Sequence, residues 1–482
     1  MARRTKIVAS IGPASEDPSI LEAMVAAGMD MARVSLAHGP LEESLTRIRR
    51  VQEVAVRADK FVGVLADLPG PKLRAAEFPE SGVLLADGAL VDIVAIDGSE
   101  PTSNEHRVAV EPAVVAVLQE GDSLALGDGA IQLLIRKVAT ERVTAEVLSG
   151  GQVKGRPGLG LPPGRLAISS PTARDLEYAK ALVEAEVDAL AISFVQSADD
   201  IDRTRAVVGS GPMLVAKIET QEAVDCVEAI IATADGVMVA RGDLGIRCAL
   251  EDVPHYQKLI IRSGVAYGRP VITATQMLES MIRAPAPTRA EVSDIANAVF
   301  DGTSALMLSG ETAIGHDPVK AVRTMSRIAV RAEREFDNLL WGRELGRLQS
   351  LEVHGQKAPI PVRMTAAVSA AAWRAATDAE ATAIIACTIR GTTARAISRF
   401  RPIAPVLAVT PSPRTARQLS VAWGITPILV DWQGTTDDIV WFAVKATVER
   451  GYVRSGDLVA VLVGSPTDPN PTTDTLRLVR VQ

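Results

Sequence analysis

"MLVAKIE" (213–219) and "GVMVARGD" (236–243) decide how this chain is built. Each opens as an apolar run and closes in charge, Lys217 and Glu219 in the first, Arg241 and Asp243 in the second. Six more such runs occur: "KIVASI" (6–11), "MDMARVSL" (29–36), "VGVLADL" (62–68), "DALAISFV" (188–195), "PVITATQ" (270–276) and "SALMLSGE" (304–311). Between most of them lie segments such as "PSILEAMVAAG" and "SADDIDRTRAVVG", whose apolar residues recur at three- and four-residue steps, the period of a helix. Alternating strands and helices predict a parallel sheet. Eight units predict a closed (β/α)8 TIM barrel, with functional groups gathered at the C-terminal ends of its strands. A doubly wound open sheet is the structural alternative.

The rhythm breaks once. Residues 72–166 carry alternating runs, "GALVDIVAI", "HRVAVEP", "AIQLLIRKV" and "RVTAEVLSG", with turn signals at Asp87-Gly88 and Asp128-Gly129. This reads as a small β domain inserted after the third strand, on the catalytic side, where it can act as a lid. The barrel is expected from 1–71 and 167–345. A linker follows over 346–362. A C-terminal open-sheet α/β domain over 363–482 is expected from "ATAIIACT", "PVLAVTP", "TPILVD", "DLVAVLV" and "TLRLVRV".

A chain of 482 residues is too long for one core, and its 47% apolar content is ample for several. A net charge of −7 and an aromatic content of 3% argue against a nucleic-acid partner. Three scattered cysteines, Cys226, Cys248 and Cys387, show no metal or redox spacing, which suits a reduced, cytoplasmic protein. No run of ~18 apolar residues occurs, so no membrane span is expected.

Polar residues collect where the strands end. They are Arg33; Asp67, with Lys72 and Arg74 just beyond; Lys217 and Glu219; Arg241 and Asp243; Thr275 and Gln276; and Ser309 and Glu311. Strands buried on both faces should be apolar, so packing does not account for this charge. Glu219 and Asp243, on neighbouring strand ends, are hard oxygen donors suited to Mg²⁺ or Mn²⁺. Lys217, two residues from Glu219, shares its face of the strand. Its ammonium suits an enolate or a transferring phosphoryl group. A Schiff-base lysine is the other role open to it. Gly242 allows close backbone approach to a carboxylate. Thr275 offers a hydroxyl, and Arg33 and Arg74 offer forked donors for phosphate.

At these residues the sequence resembles the pyruvate kinase family, over essentially its whole length. "TKIVASIGPAS" opens the chain as that family opens. "VAKIE" and "VMVARGDLGI" carry the lysine, glutamate and aspartate of its active site. "ATQMLESMIRAPAPTRAEVSDIANAVFDGTSALMLSGETA" (274–313) is close to a family signature. The resemblance implies phosphoryl transfer from phosphoenolpyruvate to ADP, giving pyruvate and ATP. Glu219 and Asp243 would hold Mg²⁺, and Lys217 would stabilise the phosphoryl group and the enolate. Thr275 would stand near the proton delivered to the enolate, and Arg33 would contact the phosphoryl group. Gly242 and Asp243 would receive the substrate carboxylate. Pro13, Ser35, His38 and Arg74 fall where the family binds the nucleotide. A homotetramer is expected on the same ground. Another enolate enzyme on this barrel would not explain "TRAEVSDIANAV". A regulatory paralogue that binds phosphoenolpyruvate or sugar phosphate but turns over poorly is the alternative.

The departures from the family pattern are informative. Potassium-dependent members bind that ion through four oxygen ligands, which here become Ser35, Ala37, Asp67 and Leu68. Where those members carry glutamate, this chain carries Lys72, whose ammonium, with Asp67, would supply the missing charge. Activity without K⁺ is therefore expected. In the lid loop "GRPGLGLPPG" (155–164) the family's lysine falls on Pro157 and its asparagine on Gly160, with Arg156 a candidate replacement. In "CTIRGTTARAISRFRP", Thr388, Arg390, Thr392 and Thr393 stand at a helix start, where the family binds a sugar-phosphate effector. Arg390 replaces a serine there, and "GSPTDPNPTTDT" lacks the usual glycines of a second effector loop.

Overall fold

The computed structural model describes residues 3–96, 102–127, 129, 131–139, 142–162, 164–165, 169–348, 352–353, 356–431, 434–464 and 472–482. Eight parallel strands close into a barrel: Lys6–Ser10, Met31–Ser35, Gly63–Asp67, Ala189–Ile192, Met213–Ile218, Gly236–Ala240, Val271–Ala274 and Ala305–Leu308. Closure joins the first strand to the last, with Lys6 opposite Ala305 and Ala9 opposite Leu308. Val8, Met31, Leu65, Ala191, Val215 and Met307 fill the interior, each almost wholly buried. Burying one such large side chain contributes about 1.5–3 kcal/mol, so the layer is a packed core rather than a pore.

The helices around the barrel start where the sequence supplies caps. Thr172 with Asp175 and Thr288 with Glu291 each close a reciprocal capping box. Pro18 and Pro318 each occupy a first turn behind a capping aspartate.

The inserted domain has its own core, built on Phe78, Ile93, Leu124, Leu133 and Val147. Six strands form its main sheet, while Phe78–Leu85 pairs separately with Gly151–Gly155. The strands Phe78–Leu85, Ser123–Leu126 and Gly151–Gly155 are additions to the four runs expected there. They are short or interrupted by Pro79 and Gly82, so alternation does not mark them. The turn expected at Asp128 lies outside the described residues.

The C-terminal domain carries a five-stranded sheet in the order Ile425–Leu429, Val406–Thr410, Ala383–Cys387, Leu458–Gly464 and Thr473–Arg480, the last strand antiparallel. The helix Ile360–Asp378 begins inside the stretch read as linker, because Pro359 and Pro361 suit a helix start as well as a loop. Most of "GSPTDPNPTTDT" lies outside the described residues. Among the described residues no helix is long and apolar enough to cross a membrane.

The C-terminal domain docks at the opening end of the barrel strands, away from the charged ends. Lys6 Nζ donates to the Ile425 carbonyl at 2.9 Å, and Gln418 Nε2 donates to the carbonyls of Asp188 and Gly211. Arg417 Nε lies 2.8 Å from Asp188 Oδ1. Burial still pushes the Asp188 carboxyl up to about 6, against the pull of Arg417. A carboxyl whose pKa is raised on folding favours the fold below its unfolded value of 3.8, and that contribution is lost as pH rises through about 6. Asp188→Asn is therefore expected to lose less thermal stability than the parent between these limits. Parallel melting curves against pH would discard this account.

Candidate active site

At the far end of the barrel the strand-end charges converge. Lys217 Nζ lies 3.2 Å from Asp67 Oδ1 and 3.0 Å from Glu219 Oε1, and it donates to Ser193 Oγ at 2.7 Å. Arg33 closes on the other oxygen of Asp67, with Nη2 at 2.6 Å and Nε at 2.8 Å, and its Nη1 donates to Ser10 Oγ. Glu219 Oε2 accepts the Phe194 N–H at 2.6 Å. Lys72 Nζ lies 3.1 Å from Asp243 Oδ1.

The electrostatics follow from these contacts. Burial alone would favour loss of the Lys217 proton, but the Asp67 and Glu219 carboxylates outweigh it and hold the group above the ordinary lysine value. Burial also works against the Asp67 anion, yet Lys217 and Arg33 keep its pKa low. For Glu219 burial wins, helped by the Asp243 charge, and the carboxyl rises to about 7. Asp243 stays low despite burial because Lys72 and Lys217 face it. The His38 imidazole is held below its usual pKa by partial burial and by Arg74, Arg33 and Lys72. One side of the site is thus strongly cationic, as binding of a multiply charged anion requires.

Two carboxylate oxygens are left over. Glu219 Oε1 is buried and makes no hydrogen bond, although Lys217 is near. Asp243 Oδ2 has no protein partner among the described residues, Lys72 having taken Oδ1. Two hard donors, one paired only with the Lys217 ammonium and the other open to solvent, fit a divalent cation that completes its shell with substrate and water oxygens. No group of three or more His, Cys, Asp or Glu among the described residues forms a closed metal cage.

Thr275 and Gln276 both adopt left-handed backbone, at φ 67° and 54°. That conformation costs about 1–3 kcal/mol per non-glycine residue, so something must hold it. Arg241 does. It donates to the carbonyls of Ala274 and Thr275 at 3.2 and 2.6 Å, and it is anchored on Asp294 at 2.7 Å. The brace aims Thr275 Oγ1 at the Gly242 N–H, 2.9 Å away. Gly242 and Asp243 lie in the first turn of the helix Arg241–Arg247. Glu311 is likewise a brace, accepting from the N–H groups of Leu278 and Ser309.

The structure thus brings together Arg33, Asp67, Lys72, Lys217, Glu219, Gly242, Asp243 and Thr275, with His38 and Arg74 on the cationic side. Pro13 lies in the loop after the first strand, and Ser35 ends the second. One pairing differs from expectation. Lys72 meets Asp243 rather than Asp67, because Asp67 is only 2% exposed and both its oxygens are already held by Arg33 and Lys217. Ser193 was not expected in the site. It stands just past the fourth strand, where a polar residue after "ALAI" was the available signal. In the C-terminal loop, Arg390 and Thr392 are exposed, Thr388 is buried, and Thr393 turns inward to bond Thr473 at 2.7 Å.

Matching family models cover both ends of this architecture. One described as "Pyruvate kinase, barrel domain" matches residues 2–322, and one described as "Pyruvate kinase, alpha/beta domain" matches 366–479. The chain belongs to the pyruvate kinase family. It is 38% identical to a pyruvate kinase of Clostridium acetobutylicum over the full length of both chains. It is also 38% identical to a pyruvate kinase of Staphylococcus aureus, over 99% of this chain and 80% of that protein. The chain is therefore a pyruvate kinase phosphotransferase, an enzyme of glycolysis.

In this pyruvate kinase the inserted β domain packs against the helix Arg241–Arg247. A Cβ on Gly160 would lie 2.4 Å from Ile246 Cγ2, on the helix that carries Asp243, and Gly158 stands over the Lys72 side chain. An asparagine at residue 160, as in the family pattern, could not sit here with the lid in place. Gly160→Ala should lower kcat/KM for ADP about tenfold by lifting the lid, since misplacements near 1 Å cost up to about 10²-fold. Ile246→Ala should restore it in the double variant. An unchanged kcat/KM in the single variant would sink the idea.

Proposed function

We propose that this chain transfers the phosphoryl group of phosphoenolpyruvate to ADP with Mg²⁺ and without K⁺. The observation that carries the reading is the Lys217 ammonium, held at once by Asp67, Glu219 and Ser193 at the catalytic end of the barrel. The bond from phosphorus to the enol oxygen breaks as a bond to the ADP β-phosphate forms, and the enolate then takes a proton at its methylene carbon. Charge passes through the phosphoryl oxygens and the enolate, so positioned cations lower the barrier. Lys217 and Arg33 supply two such cations. Thr275 orients the proton on the enolate side, and the Gly242 and Asp243 amides take the carboxylate, the Gly242 N–H exchanging its bond to Thr275 Oγ1 for the substrate. His38 and Arg74, with Pro13 and Ser35, receive the nucleotide. Glu219 and Asp243 would hold Mg²⁺, which offsets phosphate charge when bound.

Lys72 supplies the charge that K⁺ provides in other members. Its ammonium is 3.1 Å from Asp243, inside the same cluster. Ala37 and Leu68 carry no side-chain oxygen, so a full K⁺ ligand shell is not available.

Pyruvate formation from phosphoenolpyruvate and ADP with Mg²⁺, measured in sodium buffer and again with potassium, tests this. Equal turnover supports it, and turnover only with potassium removes the role of Lys72. Binding of phosphoenolpyruvate with no turnover in either buffer favours the regulatory paralogue. Lys72→Glu should lose about 10²-fold in kcat, the scale of one charge-stabilising group, and potassium should not restore it. Full rescue by potassium would discard this account. The homotetramer expected of the family is proposed here too, and sedimentation equilibrium showing a monomer would remove it.

A further inference from the structure

We propose that Arg269, Arg395, Arg399 and Arg401 bind one small inorganic monoanion of the halide class at the junction of the barrel and the C-terminal domain. The four side chains line one cavity of about 20 Å³, together with Ser304, Ser398 and Trp423. That volume accommodates one water-sized occupant. Arg269 precedes the seventh barrel strand, whereas the other three lie on or just after the helix Thr392–Ser398 of the C-terminal domain. Cations from both domains therefore face one another.

Five of their nitrogens are buried with no protein acceptor among the described residues: Arg269 Nε, Arg399 Nε and Nη2, and Arg401 Nε and Nη1. Arg401 is only 2% exposed. Three other nitrogens are committed to the chain, Arg269 Nη2 to the Ala232 carbonyl, Arg399 Nη1 to Ala266, and Arg401 Nη2 to Gly302 and Thr303. Arg401 also stacks on Trp423 at 4.4 Å. Among the described residues no carboxylate lines the cavity. The nearest acids are occupied elsewhere. Asp235 pairs with Arg205 at 2.8 Å and accepts the Leu214 N–H, and Glu333 accepts the N–H groups of Arg4 and Thr5. Buried charge is normally compensated by a paired charge, and among the described residues Asp235 and Glu333 act on these arginines only from outside the cavity. Burial lowers the pKa of Arg401 to about 9, with Glu333 opposing it, and those of Arg395 and Arg399 to about 10, the Arg269 charge adding to the effect on Arg395 and Asp235 opposing it. An anion would satisfy the orphan donors and tie the two domains through one centre.

Crystals of the full chain grown in sodium bromide, with gluconate balancing ionic strength, test the proposal directly. The expected result is an anomalous bromine peak in contact with the Arg399 and Arg401 nitrogens. In solution, replacing gluconate with chloride at constant ionic strength should raise the melting temperature saturably by about 2 °C or more, as binding to the folded state alone requires. Arg399→Gln should abolish that chloride dependence. A cavity without an anomalous peak overturns the proposal. A peak with no chloride effect on melting overturns it too, because the ion is then adventitious. An Arg399→Gln variant that keeps the full chloride effect overturns it as well.

Discussion

Lys217→Met is expected to lower kcat about 10³-fold or more. In phosphoryl transfer, a single well-placed cation is worth about 10³–10⁵ in rate. Under the proposed function Lys217 is such a cation, kept protonated by Asp67 and Glu219 against the effect of its own burial. The same change strands Glu219, which is wholly buried and would keep no cationic partner in contact. Removing one member of a buried pair typically costs about 3–5 kcal/mol, so the melting temperature should fall as well. Asp67 is protected because Arg33 still holds it. The test is kcat beside thermal melting. A folded variant within tenfold of the parent rate would show that Lys217 serves only to neutralise its neighbours.

Glu219→Gln is expected to raise the Mg²⁺ concentration needed for half-maximal rate by more than about 10²-fold, since outer-shell partners alone change metal affinity 10–100-fold. The amide keeps the shape and can still accept the Phe194 N–H that Glu219 Oε2 accepts now. It removes the charge at Oε1, the oxygen 3.0 Å from Lys217 Nζ. Asp243→Asn should act in the same direction and also release Lys72. Titration of rate against Mg²⁺ separates these effects from misfolding, because high Mg²⁺ should recover much of the activity. An unchanged requirement in both variants would remove Glu219 and Asp243 from the ion site.

The barrel was legible because each of its strands is an apolar run between helical periods, and the closed sheet uses those runs. The candidate site was legible as a set of residues that converge, since charge at the end of a doubly buried strand has no packing role. The contacts were less legible. Lys72 has a long, flexible side chain, and which acid it meets depends on which acids are already taken; Asp67 is saturated by Arg33 and Lys217, facts of three-dimensional crowding. Arg241 and Glu311 look like site residues in the sequence, yet both are spent bracing backbone. Ser193 was hidden for the opposite reason, as a small polar residue whose importance comes from standing between Lys217 and the Leu68 carbonyl.

The two chain segments that join the lid to the barrel are not independent. The Leu159 N–H donates to the Leu73 carbonyl, the Ala75 N–H donates to the Pro157 carbonyl, and Arg74 reaches the Arg156 carbonyl. Cross-linked in this way, they behave as a strap rather than as two strings. A strap bends across its width and resists twisting, so the lid should swing along one arc and return to the same seat. Arg74, on the cationic side of the site, is a rung of that strap. Under the proposed function, a nucleotide phosphate engaging Arg74 would pull on the pivot itself, and occupancy of the site and the angle of the inserted domain would become one mechanical variable.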